Sequence, residues 1–473
     1  MKKLGFYILV LLLSLCACTP ENDNNNSNNN QNDSNDTNIN LPKNSYALGE
    51  YGDYVKYVDD SRSADTLEAD YQSLTKKVKG EVNGVFQSEY RKGLLDFFSL
   101  DEKVKLSIDI SKEELNELNE DYETGNKESY RICNLDIEME DLLFHYEQVG
   151  IRQKGNTSRG AILDKEGNIN LRHYKLNFTA TFDDEFTNTP IKWTDPKALE
   201  YRDNRDFFGI EKLNIRWNKN KDATYLKEYY AFETYRANGL LAPHSSPIQV
   251  EMKIDGEVNN LGVYLAVEDI DKSFIKRNVV STSAGGDLYK MGWTNVGATL
   301  DILDSSLFGV EYQIKENQKY KQIVYPYDLK TNKKTSKHEA IKGFIKKIIN
   351  TDTKDFDGFL KSDMIYDYTI KYLAISYLLG DPDDLRGNSN NTYLYFLKDT
   401  NQAIFIPTDH DRVLGSTGGE GTPIKHHGTL TNPFDDTTGY AKNNTAFFNK
   451  TILESGNANI KQDYLNAISS IID

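Results

Sequence analysis

The sequence predicts an α+β fold, and three observations lead there. Runs that alternate apolar and polar residues, as half-buried strands do, cluster between "KVKLSIDI" (103–110) and "GVYLAVED" (262–269). Longer patterns of helical character dominate the rest of the chain, among them the apolar "SDMIYDYTIKYLAISYLLG" (362–380). No internal repeat interrupts that order.

The elements follow in chain order. "MKK" and the apolar "LGFYILVLLLSL" have the proportions of a secretory signal and are short for a membrane span. Cys18 after Ala17, with Leu15 three positions before it, resembles a bacterial lipoprotein cleavage site. Residues 1–18 thus read as a lipoprotein signal peptide, with Cys18 carrying the lipid. The protein is then expected on the extracytoplasmic side of the cell membrane, held only by that anchor. Residues 19–44 are rich in Asn, Asp and Ser, have few apolar groups to offset ordering entropy, and read as a disordered tether. With Cys16 removed, Cys133 is the one remaining thiol of the body, which excludes an internal disulfide and a cysteine metal cluster. A net charge of −16 argues against a nucleic-acid partner.

Residues 45–148 read as an α/β extension. It holds a helix near "ADTLEADYQSLTKKVKG", the strand "KVKLSIDI", a helix opened by the cap Ser111 in "SKEELNELNEDYE", and the strand "YRICNLDIEM". "HYEQVGIRQKG" carries a strand across its end. Further strands are "HYKLNFTATF", with Tyr174, Leu176 and Phe178 on one face, and "EKLNIRWN". "DATYLKEYYAFETYRANGLLAP" predicts a helix capped by Asp222 and stopped at Asn238-Gly239. "IQVEMKI" and "LGVYLAV" flank Asp255-Gly256, a hairpin signal, and "DIDKSFIKRN" reads as a short helix. Residues 312–337, rich in Lys, read as an irregular loop.

The chemistry concentrates in "GDPDDLRGNSNNTYLYF" (380–396) and "FIPTDHDRVLG" (405–415). Three chemistries want such acidic and Asn-rich residues: a divalent-cation phosphoryl-transfer site, a pair of glycosidase carboxylates, or a structural calcium loop. The EF-hand pattern fails, because Leu385 and Arg386 stand where an oxygen ligand and a glycine belong. Phosphoryl transfer needs a carboxylate for the attacking hydroxyl, an Asn and an Asp for metal, and a cation steadied by a helix Glu. The chain order offers Lys175 on a strand, Glu228 and Glu233 on the next long helix, a connector at Glu268, then Asp383 with Asn391, and Asp409 with Asp411.

"VGIRQKGNTSRG", "YKLNF", "GVYLAVEDIDKSFIKR", "GGDLYKMGW" and the two acidic stretches, in this collinear order, resemble the spore-coat protein H (CotH) kinase family of secreted atypical protein kinases, from about Val149 to Gly428. The resemblance implies a bilobal kinase-like fold, with a strand-rich N-lobe at 149–268 and a helical C-lobe at 269–473. It also implies ATP and Mg²⁺ or Mn²⁺ as cofactors, and transfer to Ser or Thr of extracytoplasmic coat or surface proteins. Carried onto this sequence, it makes Asp383 the catalytic base and Asn391 and Asp409 metal ligands, with Asp411 the alternative because Thr408 replaces the family's aromatic residue. Asn156, Ser158 and Arg159 would line the nucleotide phosphates, and Lys175 would clamp them with Arg152 and Arg172 as competitors; by the chemistry of phosphoryl transfer, Glu233 would steady the clamp and Glu268 would contact adenine. Other readings are AMP transfer on the same fold, a surface glycoside hydrolase using Asp383 and Asp409, and a non-catalytic surface protein.

Overall fold

The structure, a computed structural model, describes residues 40–79, 86, 88–180, 182, 196–292, 294, 297–415, 432–434 and 445–472. Cys18, the signal segment 1–18 and most of the tether lie outside the described residues, as do His426 and His427. Two units divide the chain, Met1–Asn40 and Leu41–Asp473; only the second is described in any length.

Strands and helices are mixed, as an α+β fold requires, but the first half closes into a barrel. Its seven staves run in the order Leu142–Gln153, Arg131–Met139, Val104–Ile110, Ser245–Ile254, Glu257–Glu268, Lys212–Trp217, Tyr174–Asn177 and back to the first. Residues 105–110 pair parallel to 249–254; the other neighbours are antiparallel. Closure leaves these staves no open edge, whereas a kinase-type N-lobe would be an open sheet. The long strand Leu142–Gln153 makes closure possible by serving two partners along one side. Its first half pairs with Tyr54–Tyr57 and its last four residues with Tyr174–Asn177. At the change of partner Gln148 takes φ +52°. There the buried Arg205 donates to the carbonyls of Glu147, Gln148 and Phe178 at 2.6, 3.0 and 2.8 Å, satisfying backbone that the sheet leaves over.

This corrects the boundary drawn at residue 148. It falls inside a stave, and two more staves precede it, so residues 104–148 are part of the barrel. Alternation explains why they belong: Leu135, Ile137 and Met139 are buried with half-exposed residues between them. They join Leu106, Ile108, Phe144, Ile151, Leu176, Ile215 and Val250 in one apolar cluster. Helix Lys112–Thr124 begins at Ser111, whose hydroxyl accepts from Glu114 N, as its cap sequence predicts. In the hairpin, Asp255 and Gly256 both take positive φ (+48° and +87°), the geometry an Asp-Gly turn favours.

A second apolar cluster surrounds a five-stranded sheet ordered Phe308–Gly309, Tyr327–Leu329, Leu288–Met291, Thr392–Phe396, Ala403–Pro407. Helices Glu339–Asn350, Phe356–Asp363, Tyr366–Leu379 and Ala458–Ile472 supply apolar faces to it. Helix Lys227–Ala237 links the two halves: Phe232 and Tyr235 enter this second cluster, while Glu228 faces the barrel rim. It starts five residues later than its Asp222 signal, yet Asp222 still accepts from Lys227 N at 2.9 Å. Although 330–337 carry neither helix nor strand, residues 312–329 are not irregular. They form a hairpin, Tyr312–Glu316 with Lys319–Ile323, then strand Tyr327–Leu329. Among the described residues no helix is long and apolar enough to cross a membrane.

Candidate active site

Arg216 stands at the centre. It is the fifth residue of strand Lys212–Trp217, and its side chain is 7% exposed. One arm of its guanidinium meets Glu228 on the following helix. The other meets Asp409 and, at 3.3 Å, Asp411. A barrel strand, a linking helix and the end of a second-sheet hairpin therefore converge on one cation. A cavity of about 50 Å³ opens beside it, bordered by Trp217, Lys219, Asn220, Glu228 and Asp411.

The hairpin Thr392–Phe396/Ala403–Pro407 sets the acidic side. Thr392 pairs with Pro407, so the residues just outside the pair, Asn391 and Thr408, face each other, and Thr408 N donates to Asn391 O at 3.1 Å. Asn391 and Asp409 both take left-handed φ (+48° and +61°), a conformation that Asn and Asp adopt more readily than most residues. Asn391 Nδ2 lies 3.4 Å from Asp409 O. Burial opposes ionisation of Asp409, but Arg216, with Lys154 and Lys290 behind it, outweighs burial and holds its carboxyl below the ordinary value. Asp411 moves the other way, pushed well up by burial and by the charge of Asp409. Opposite shifts are what two neighbouring carboxylates impose on each other.

Asp383 lies in the loop after the buried helix Tyr366–Leu379. Its Oδ1 accepts from Asn388 Nδ2 at 2.6 Å and Asn390 Nδ2 at 3.2 Å. Burial raises its carboxyl above the ordinary value, with these two amides pulling it back and the charges of Asp381 and Asp409 adding to the rise. A carboxylate oriented by two amides is held to accept from one direction.

Cations line the barrel side. Lys175 reaches Asp269 Oδ2 at 2.7 Å, and Asn214, its partner across the strands, holds Asp269 Oδ1 at 3.1 Å. Lys154 heads the "KGNTSR" loop. Burial, then the charge of Arg216, lowers its ammonium to about 7. Lys290, on strand Leu288–Met291, is lowered by burial and by Lys330. Ammonium groups depressed in this way gain free energy from any added anion.

The structure brings Asn391, Asp409 and Asp411 together, with Asp383 close enough to Asp409 to feel its charge. Lys175 lies near enough to Lys154 for its charge to lower the Lys154 ammonium. Two expected carboxylates do not join them. Glu233 pairs with Arg236 on its own helix at 3.5 Å, because it falls on the outer face; Glu228, five residues earlier, is the helix carboxylate at the site. Glu268 is fully buried, its oxygens taken by Arg277 at 2.9 Å and by His244 at 2.6 Å, so it braces the barrel and faces no ligand. Arg152 and Arg159 both bind Glu128, at 2.8 and 3.3 Å. Ser158 donates to Lys154 O at 2.9 Å, closing the loop on itself, while Asn156 is exposed. Reading single positions missed Arg216, Lys154, Lys290 and Asp269. The usable signal for Arg216 was its place on the strand just before the Glu-bearing helix.

Among the described residues no group of three His, Cys, Asp or Glu is arranged to hold a metal ion. Asp409 and Asp411, with the side-chain amide of Asn391 beside Asp409, nonetheless carry oxygen donors of the type magnesium and manganese take. Their attraction for positive charge is visible in Arg216, which both contact. In type, though not in number, these donors match what a divalent cation takes.

The sequence model of the family described as CotH kinase protein matches residues 151–473. The match begins inside strand Leu142–Gln153, so the first two staves of the barrel precede it. No curated protein matches the chain.

Proposed function

The chain belongs to the CotH kinase family, membership that suggests a kinase-type enzyme, and from that premise we propose that it transfers the γ-phosphoryl group of ATP to Ser or Thr hydroxyls of extracytoplasmic proteins. The observation that carries this reading is the junction of Arg216 with Glu228 and with Asp409 and Asp411. A cation on a strand, steadied by a carboxylate of the next helix and set against a metal-binding Asp, is the arrangement phosphoryl transfer requires.

Each group then has a task. Asn391, Asp409 and Asp411 would hold Mg²⁺ or Mn²⁺, which would supply positive charge against the phosphates. Lys154, Lys175 and Lys290 bind the phosphates from the barrel and sheet sides. Arg216 keeps the Asp pair oriented and adds positive charge where negative charge gathers in the transition state. Asp383 accepts the proton of the attacking hydroxyl, with Asn388 and Asn390 fixing the direction of its lone pairs. The two halves of the body act as the two lobes of a kinase-like enzyme, the barrel taking the part of the N-lobe. The acidic chain favours basic acceptor segments, and the lipid on Cys18 would keep the site near the outer membrane surface.

Thermal stabilisation by ATP tests the proposal. With Mg²⁺ present the wild-type protein is stabilised; Asp409→Ala loses the metal-dependent part, and Asp383→Ala keeps it while losing transfer. At a hundred times the dissociation constant a ligand adds about 2.7 kcal/mol. Absence of any shift in the wild type contradicts the proposal and favours a glycosidase or a non-catalytic surface protein.

A further inference from the structure

We infer that Asp381 and His410 form a buried positioning pair that fixes the proton-accepting loop and the cation-binding carboxylates in one frame; the inference rests on the kinase reading of the site. Neither side chain has a part in the proposed chemistry. Both are wholly buried, and His410 Nδ1 lies 2.7 Å from Asp381 Oδ2. The other oxygen of Asp381 accepts from Asp383 N at 2.9 Å. One carboxylate therefore holds the backbone of the base with one oxygen and the segment 409–411 with the other.

The opposite side of His410 is equally constrained. Its ring centre lies 5.6 Å from that of Tyr235 and 6.0 Å from that of Phe232. Both belong to the helix that carries Glu228. The left-handed turn at Asp409 sends consecutive side chains apart, Asp409 toward Arg216 and His410 into the core. The contacts close a circuit: Asp383 to Asp381, to His410, to the aromatic face of the helix, to Glu228, to Arg216, and back to Asp409 and Asp411. Displacing any member moves base and metal ligands relative to each other. Among the described residues His410 Nε2 is buried without a partner, so Nδ1 is the ring's one polar anchor there. A buried ionisable pair is an inefficient source of stability compared with apolar packing, and fixing a geometry is the better account of it.

Amide substitutions at His410 separate positioning from bulk. Asn puts its N–H where Nδ1 stands; Gln moves it one bond further, toward the place of Nε2. The readout is Mn²⁺ affinity in the presence of ATP, followed by the electron paramagnetic resonance of free Mn²⁺, together with turnover. His410→Gln should weaken Mn²⁺ binding and lower turnover by about tenfold or more, the usual size of outer-shell effects. His410→Asn should remain within a few-fold of wild type, and ATP affinity without metal should be unchanged in both. Equal Mn²⁺ affinity in the two variants overturns the inference. Asp381→Asn gives a second reading should a His410 variant not fold. It must serve two donors with one acceptor oxygen and should show the same tenfold loss; wild-type affinity there overturns the inference as well. If the wild-type protein binds neither ATP nor Mn²⁺, the kinase reading fails and the inference with it. If it binds both and the contrast is missing, the inference alone fails.

Discussion

Replacing Arg216 with Met removes one charge from a cluster of four, and the structure says what that costs. Glu228 is 9% exposed, and Arg216 is the one partner its carboxylate meets at ion-pair distance among the described residues. Burial already raises its pKa, with Arg216 restraining the rise. Removing one member of a buried pair leaves an uncompensated charge, a loss of about 3–5 kcal/mol. Although the surrounding protein disfavours their charge, the side chains of Asp409 and Asp411 keep 46% and 29% of their surface exposed, so water replaces much of what they lose, adding about 0–1 kcal/mol. Arg216→Met should therefore destabilise the metal-free protein by about 3–5 kcal/mol in urea unfolding followed by fluorescence. The double variant Arg216→Met/Glu228→Leu removes both buried charges and should return to within about 1 kcal/mol of wild type. Both variants should lose phosphoryl transfer. A cost below about 1 kcal/mol for the single variant refutes the reasoning, as does a double variant no more stable than the single.

Four further outcomes come from the structure. Lys154, at about 7 in the folded protein against 10.5 ordinarily, carries fewer protons folded than unfolded between those values. Its contribution makes stability rise with pH across that window, and Lys154→Met should flatten that rise. Phosphate near Lys154 restores its charge, so ATP binding at pH 8 should take up a proton, seen as a buffer-dependent calorimetric enthalpy that Lys154→Met abolishes. Burial raises Asp383, the proposed base, above 3.8, so the acid limb of kcat/KM should lie above the ordinary aspartate value; a limb at or below it removes Asp383 as base. Gly125 takes φ +80° at the end of helix Lys112–Thr124, and an added Cβ would sit 2.8 Å from Tyr320 O on the hairpin 312–323. Gly125→Ala should cost about 1–2 kcal/mol and speed proteolysis at Asn317–Gln318, read by thermal unfolding and peptide mass.

Local physics was legible in the sequence and long-range physics was not. Ser111 as a cap, Asp255-Gly256 as a turn and Tyr366–Leu379 as a buried helix are decided within a few residues of chain. The meeting of Asn391 with Asp409 was legible for the same reason, since one hairpin joins them. Barrel closure depends on residues 105–110 finding 249–254 and on one strand changing partner at Gln148, and neither leaves a local mark. Hairpin 312–323 was missed because most of its residues face water, so no apolar alternation betrays the strands. Glu233 was preferred to Glu228 because helical period alone does not tell which face meets a distant strand. Arg216, a single charge in "NIRWN", acquires meaning only when three segments are folded onto it.

The central claim is transfer of the γ-phosphoryl group with Asp383 as base. It is tested most directly with two labels of ATP, one in the γ-phosphate and one in the α-phosphate, each incubated with the wild-type protein, Asp383→Asn, Mg²⁺ or Mn²⁺, and a Ser/Thr-containing basic peptide. The γ label should pass to protein or peptide in the wild type and not in Asp383→Asn, while the α label stays in solution. Transfer of the α label, or transfer of γ label undiminished in Asp383→Asn, contradicts the account.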